Sequence, residues 1–228
     1  MPDATLKEAC LSAQRTLPAW YGKLPGAGDF AERRMPRALA QSWERWFACG
    51  ISLLSDGAGQ ASSDPYAHAP IWHFAVPAGA GAGSVQFGCI APSFDRVGRR
   101  YPLLAAHLFD LGGFSLDAAS WASERLPAIG ETLAQAIAHA YGPEQFDRAL
   151  KDRLGALRCG SDDDRSRAKA QAWANLLDYF DPDGMTSFWW TSTDDDDSPA
   201  ARAHTGALDS ALFSALFCEV DRSGRIES

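Results

Sequence analysis

Residues 20–30 read "WYGKLPGAGDF". Trp20 to Lys23 has the aromatic, extended character of a strand, Pro25, Gly26 and Gly28 make a tight corner, and Asp29 and Phe30 leave it. A lysine and an aspartate therefore flank one glycine-proline turn, as they would in a phosphate-holding or catalytic loop, or in a rigid corner that shapes a surface. The spacing speaks against phosphate, because Lys23 precedes the glycines and no Gly-Lys-Ser/Thr follows them. What is left is a strand running into a turn. There Gly28 is expected to take a conformation closed to other residues, with Asp29 bonded to nearby backbone amides.

The chain around this corner has 228 residues, 46% hydrophobic, with eight Trp. That is enough apolar material for a core, in one large domain or two small ones. A net charge of −8 argues against a duplex nucleic-acid binder, which needs a basic footprint. Cys10, Cys49, Cys89, Cys159 and Cys218 are odd in number and never spaced Cys-x-x-Cys, so they read as free thiols of a cytosolic protein and not as disulfides or metal ligands. The start shows no basic segment followed by an apolar run, and no apolar stretch approaches ~18 residues. A cytoplasmic location without membrane insertion is the expectation.

From Pro36 onward, Leu39, Trp43, Trp46, Phe47, Gly50 and Leu54 share one helical face, and Gly57 and Gly59 end the run. The period then changes. Trp72, Phe74 and Val76 alternate, and "VQFGCIAP" and "YPLLAAHLF" follow after short connections, as three antiparallel strands would. Helical periodicity returns with Leu126, Ile129, Leu133, Ile137 and Ala140, broken or kinked near Pro127, and stops at Gly142-Pro143. A second helix from Pro143 carries Phe146, Leu150, Leu154 and Leu157. A third, after "SDDD", carries Ala168, Ala172, Trp173, Leu176 and Phe180. "DPDG" is a turn, and "MTSFWWT" a strand that sends Ser187 and Trp189 to one face and Phe188 and Trp190 to the other. Asp194 to Asp197 is a solvated loop, and Leu208, Leu212, Ala215 and Leu216 mark a last helix. Together these elements describe a single α/β domain whose mixed, mainly antiparallel sheet is covered by helices.

Chemistry-bearing residues concentrate in "PSFDRVGRRYP", residues 92–102. Ser93 as a nucleophile would need a base, and His73 and His107 lie on neighbouring strands, but the Gly-x-Ser-x-Gly elbow is missing. Arg96, Arg99 and Arg100 suit an anion or phosphate fork. Equally, Asp95 pairs with an arginine to hold the connection while Gly98 makes its turn. "DPDG" lacks the third acidic ligand and closing glutamate of a calcium loop.

Taken in order, "WYGKLPGAGDF" with Arg33, Pro36 and "WERW", then "APIWHF", "PSFDRVGRRYPL" and "SFWWT", resemble the TagF/ImpM family associated with bacterial type VI secretion. The matching positions are Tyr21, Gly22, Lys23, Pro25, Gly28, Asp29 and Phe30; Pro92, Ser93, Asp95, Arg96, Gly98 and Arg99; and Trp189 and Trp190. The resemblance implies a non-enzymatic, cytoplasmic, post-translational repressor that binds a forkhead-associated scaffold protein and is linked to the threonine kinase and phosphatase pathway. It also implies a three-layer sandwich of the kind compared with longin-like domains, formed by residues 20–228 after a variable extension, 1–19. Lys23, Gly28, Asp29, Ser93, Asp95, Arg96 and Arg99 are its partner-binding residues, with no catalytic residue, metal or cofactor. The competing reading is a phosphate- or phosphopeptide-binding module, or a small hydrolase, built on the Ser93/Asp95/Arg96 loop.

Overall fold

Seven strands hydrogen-bond into one sheet in the computed structural model, which describes residues 17–56, 64–157, 179–191 and 200–218. They are β1 (Ala19–Lys23), β2 (Phe30–Arg33), β3 (Trp72–Val76), β4 (Ser84–Ala91), β5 (Leu103–Asp110), β6 (Thr186–Thr191) and β7 (Ala201–Thr205). Their order is β2-β1-β5-β4-β3-β6-β7, and every pairing is antiparallel. Among the described residues five α-helices accompany them: α1 (Arg37–Asp56), α2 (Leu116–Ser123), α3 (Leu126–Ala138), α4 (Pro143–Ala156) and α5 (Ser210–Phe217). The N-terminal strand enters the sheet beside β5, with Gly22 opposite Leu103, while Ala91 of β4 also lies opposite Leu103. The corner after β1 and the 92–102 connection therefore emerge at the same end of the sheet.

Helices cover both faces, so alternate residues of each central strand enter different cores. On one side Trp20, Phe87, Leu103, Phe188 and Trp190 pack with Trp121, Ile129, Leu133 and Phe146 of α2, α3 and α4. On the other, Tyr21, Phe74, Ile90, Leu104 and Trp189 meet Leu39, Trp43, Trp46 and Phe47 of α1, and Leu212, Phe213, Leu216 and Phe217 of α5. This is the expected three-layer sandwich. Trp189 and Trp190 are both buried, one in each core, because neither face of the sheet is left to solvent. Gly50 has a packing reason: a Cβ there would lie 2.1 Å from the Phe213 ring.

Buried indoles need acceptors, and five of them find one within the protein. Trp20 donates to Asp147 Oδ1, Trp43 to Gln86 Oε1, Trp46 to the Asp209 carbonyl, Trp72 to the Leu216 carbonyl and Trp189 to Ser187 Oγ. Asp209 also caps α5, accepting from the Leu212 amide at 2.9 Å.

Two details differ from the periodicity. Pro127 does not kink a helix but opens a new one, since α2 ends at Ser123 and the ring occupies the first turn of α3. Strands β2 and β7 were not expected. They are the sheet's two edges, with mostly exposed side chains, and so they lack an alternating apolar signal. The helix expected at Ala168, Ala172, Trp173 and Leu176, the glycines Gly57 and Gly59, the run Asp194 to Asp197, and Cys10 and Cys159 lie outside the described residues; Phe180 is described and buried.

A histidine lies inside the sheet's core. His107 of β5 packs against the Trp121 ring at 4.6 Å, and Arg125 lies over that ring at 4.2 Å. Among the described residues His107 Nε2 has no hydrogen-bond partner. Burial, and then the Arg125 charge, lower its pKa from 6.5 to about 3. The native state thus holds His107 neutral. The stability this represents is complete above pH 6.5 and is lost as pH falls from 6.5 toward 3, where only the unfolded chain takes up the proton. Wild-type stability should lose up to about 1.4 kcal/mol per pH unit in that window from this group. His107→Phe should flatten the dependence, as urea unfolding at a series of pH values will show.

Candidate functional site

The β1–β2 corner and the 92–102 connection are tied together by one buried carboxylate. Asp95 Oδ2 accepts from Lys23 Nζ at 3.0 Å and from Arg99 Nε at 2.6 Å. Its Oδ1 accepts from the amides of Val97 and Arg99 at 3.0 and 2.9 Å. The backbone of the connection closes a turn around it, Asp95 N donating to the Arg99 carbonyl and Gly98 N to the Asp95 carbonyl. Gly98 takes φ +84°, which only glycine adopts without strain. Three further bonds cross between the segments. Ser93 Oγ donates to the Lys23 carbonyl at 2.8 Å, Arg96 N to the Ala27 carbonyl at 2.8 Å, and Arg99 Nη2 to the Gly28 carbonyl at 2.9 Å.

Burial alone would raise the Asp95 carboxyl, but the amide of Arg99, the Lys23 ammonium, the Arg99 side chain and the Val97 amide more than offset it. They hold it well below the ordinary carboxylate value. Aromatic groups close the cluster from the core side. Lys23 Nζ lies 4.9 Å from the Phe30 ring, Phe30 packs edge-on against Tyr101, and the Tyr21 and Tyr101 hydroxyls share a hydrogen bond of 3.1 Å. The neighbouring 3-10 turn, Tyr66–His68, joins in: Tyr66 Oη donates to the Ser93 carbonyl and accepts from its amide, while Arg100 pairs with Asp64.

The seven residues read from the sequence therefore come together, but at two levels. Lys23, Ser93 and Asp95 are buried and serve the chain's own loops. Gly28, Asp29, Arg96 and Arg99 are exposed. Asp29 bonds the next amide, that of Phe30, as expected of it. Gly28 does not: its φ is not positive. The corner's left-handed glycine is Gly22, at φ +142°, where a Cβ would lie 2.1 Å from the Pro102 carbonyl oxygen. Of the three arginines offered as an anion fork, Arg99 is engaged by Asp95 and Arg100 by Asp64. The Ser93 proton is directed at a backbone carbonyl, while His107 packs on Trp121 and His73 on Trp190. Among the described residues no group of three or more His, Cys, Asp and Glu gathers as a metal would require, and no helix is long and apolar enough to cross a membrane.

Three exposed apolar side chains stand beside this cluster; the sequence marks Phe30 only as a motif position and does not single out Phe94 or Val97. Phe30 is 48% exposed, Phe94 42% and Val97 70%, all next to the clasp formed by Asp95. Exposed apolar residues are common singly. The signal is their placement at the rim of a rigid polar cluster. A second anchor was also missed: Asp147 of α4 takes the Trp20 indole and pairs with Arg34, and Arg33 pairs with Glu144, so the β1–β2 hairpin is fastened to α4.

The family model of the TagF N-terminal domain, described as type VI secretion system-associated, matches residues 19–153. Among solved structures, the crystal structure of PA0076 from Pseudomonas aeruginosa PAO1 superimposes with a TM-score of 0.63 at 26% identity, covering 92% of this chain and 99% of that one. No curated protein matches the chain.

The clasp makes an asymmetric prediction. Asp95→Ala strands Lys23, Arg99 and two amides together, and should lower the melting temperature by roughly 10 °C. Lys23→Met leaves Asp95 its other three donors and should cost about half as much. Equal losses in calorimetry would mean that the ion pair alone, and not the whole donor set, holds the loops.

Proposed function

This chain belongs to the TagF family of type VI secretion-associated proteins, and from that membership we propose that it is a post-translational repressor of the secretion apparatus, acting by protein binding without turnover. Its partner in this reading is the forkhead-associated scaffold protein of the system, under the threonine kinase and phosphatase pathway. Its place of action is the cytoplasm.

The observation that carries the reading is the clasp in which the buried Asp95 is held by the buried Lys23 and the exposed Arg99. It costs the fold a desolvated ion pair and yields a rigid, exposed surface of Asp29, Arg96 and Arg99 beside Phe30, Phe94 and Val97. Rigid loops of mixed polarity suit recognition, because little ordering entropy remains to be lost on binding. A reaction would need an activated group. The Ser93 hydroxyl is committed to the Lys23 carbonyl, which supports binding over hydrolysis.

A variant carrying Phe94→Ser and Val97→Asp alters only exposed side chains and should melt within a few degrees of wild type. In pull-down it should retain the scaffold protein at least about tenfold less well, and cells carrying it should secrete as a deletion strain does. Undiminished capture, with secretion still repressed, would move the docking face elsewhere.

A further inference from the structure

We propose that the clasp surface recognises an acidic segment of its partner carrying a bulky apolar side chain, with Arg96 as the carboxylate receptor; this rests on the protein-binding reading above. The chain as a whole is acidic, 29 Asp and Glu against 21 Lys and Arg. The clasp itself brings Lys23, Arg96, Arg99 and Arg100 beside Asp29, Asp64 and Asp95, while Glu32 and Glu44 act on its tyrosines. The three aspartates of the clasp are engaged. Asp95 is shared by Lys23 and Arg99, Asp64 takes Arg100, and Asp29 Oδ1 accepts the Phe30 amide. Among the described residues Arg96 has no carboxylate within ion-pairing distance.

Arg96 is also positioned. Its amide is fixed to the Ala27 carbonyl, and its guanidinium Nη2 lies 3.6 Å from where a Gly28 Cβ would be, an ordinary contact distance, so it rests against the corner. A planar guanidinium held this way offers one bidentate carboxylate seat. A phosphate dianion is served by several arginines converging, and here Arg99 and Arg100 are engaged by Asp95 and Asp64. The geometry therefore favours carboxylates. Beside this seat, Val97 stands at the apex of its turn, flanked by Phe94, with Phe30 across the clasp. Apolar groups ringed by polar ones are the arrangement from which binding hot spots are built.

The probe is a labelled 12-residue peptide alternating Glu and Gly around one central Phe, with controls in which Lys replaces Glu, phosphoserine replaces two Glu, or Ala replaces Phe. Fluorescence anisotropy should show binding to the wild-type protein that weakens several-fold between 50 and 300 mM NaCl as charge pairing is screened, to depths of roughly 14 and 6 Å. Arg96→Gln should weaken it about tenfold and Arg96→Glu should abolish it, with melting temperatures unchanged. The Lys and Ala controls should bind poorly, and the phosphoserine peptide no better than the Glu one. Binding of the Lys peptide as tight as the Glu peptide, indifference to Arg96→Glu, preference for phosphoserine, or no binding of the Glu peptide up to about 1 mM each overturns the proposal. The scaffold protein, titrated in parallel, separates the two readings. If it binds wild type and Arg96→Glu alike, the acidic-segment inference fails and the binding reading stands. If it binds neither while the Glu peptide discriminates between them, the surface chemistry stands and the choice of partner fails.

Discussion

The Lys23–Asp95 ion pair joins residues 72 positions apart in the chain, and both the candidate surface and the open end of the sheet depend on it. A buried ion pair is a costly way to hold two loops, because desolvation offsets much of the attraction. Its advantage here is direction. Asp95 accepts from two side chains and two amides, so all of its acceptor directions are defined, and only one arrangement of the 92–102 turn satisfies them. An apolar contact of similar size would leave the turn's amides without acceptors and its conformation open.

The sheet places these groups within reach. Because β1 lies beside β5 and antiparallel to it, its last residue, Lys23, arrives where β5 begins and where the connection from β4 must end. Tyr21 and Tyr101 then carry the clasp into the core. Tyr21 stacks on Phe47, and Tyr101 packs edge-on against it. Phe47 belongs to α1, whose other aromatics, Trp43 and Trp46, meet Phe74 and Trp189. A continuous aromatic layer, large in buried area, thus backs the polar cluster and makes it a fixed part of the fold.

How much was legible can be judged residue by residue. The Trp72/Phe74/Val76 alternation, the α1 face and the split of Trp189 from Trp190 were visible because half-buried strands and amphipathic helices print their period on the sequence. The edges were not. "FAER" and "ARAHT" face solvent and hold their place by backbone bonding to β1 and β6, which no side-chain pattern records. At the site, the chemistry types of Lys23, Ser93, Asp95 and Arg96 were legible, as was their convergence through four ordered motifs. Their division into buried ties and exposed groups was not, because a charged residue in a loop looks the same in sequence whether its partner is water or another loop. For the same reason the strained glycine was assigned to Gly28 within the obvious turn, when the close approach of Pro102 from a distant segment imposes it on Gly22.

By itself the sequence determined the layers: the period of its apolar residues sets which faces must be covered, and a tryptophan-rich chain patterned in this way has to cover both sides of a sheet. Only the tertiary structure decided which charges are spent inside the protein and which remain for a partner. Covering a face is a property of neighbouring residues, whereas neutralising a buried charge depends on a group supplied from elsewhere in the chain, and for Asp95 that group is Lys23.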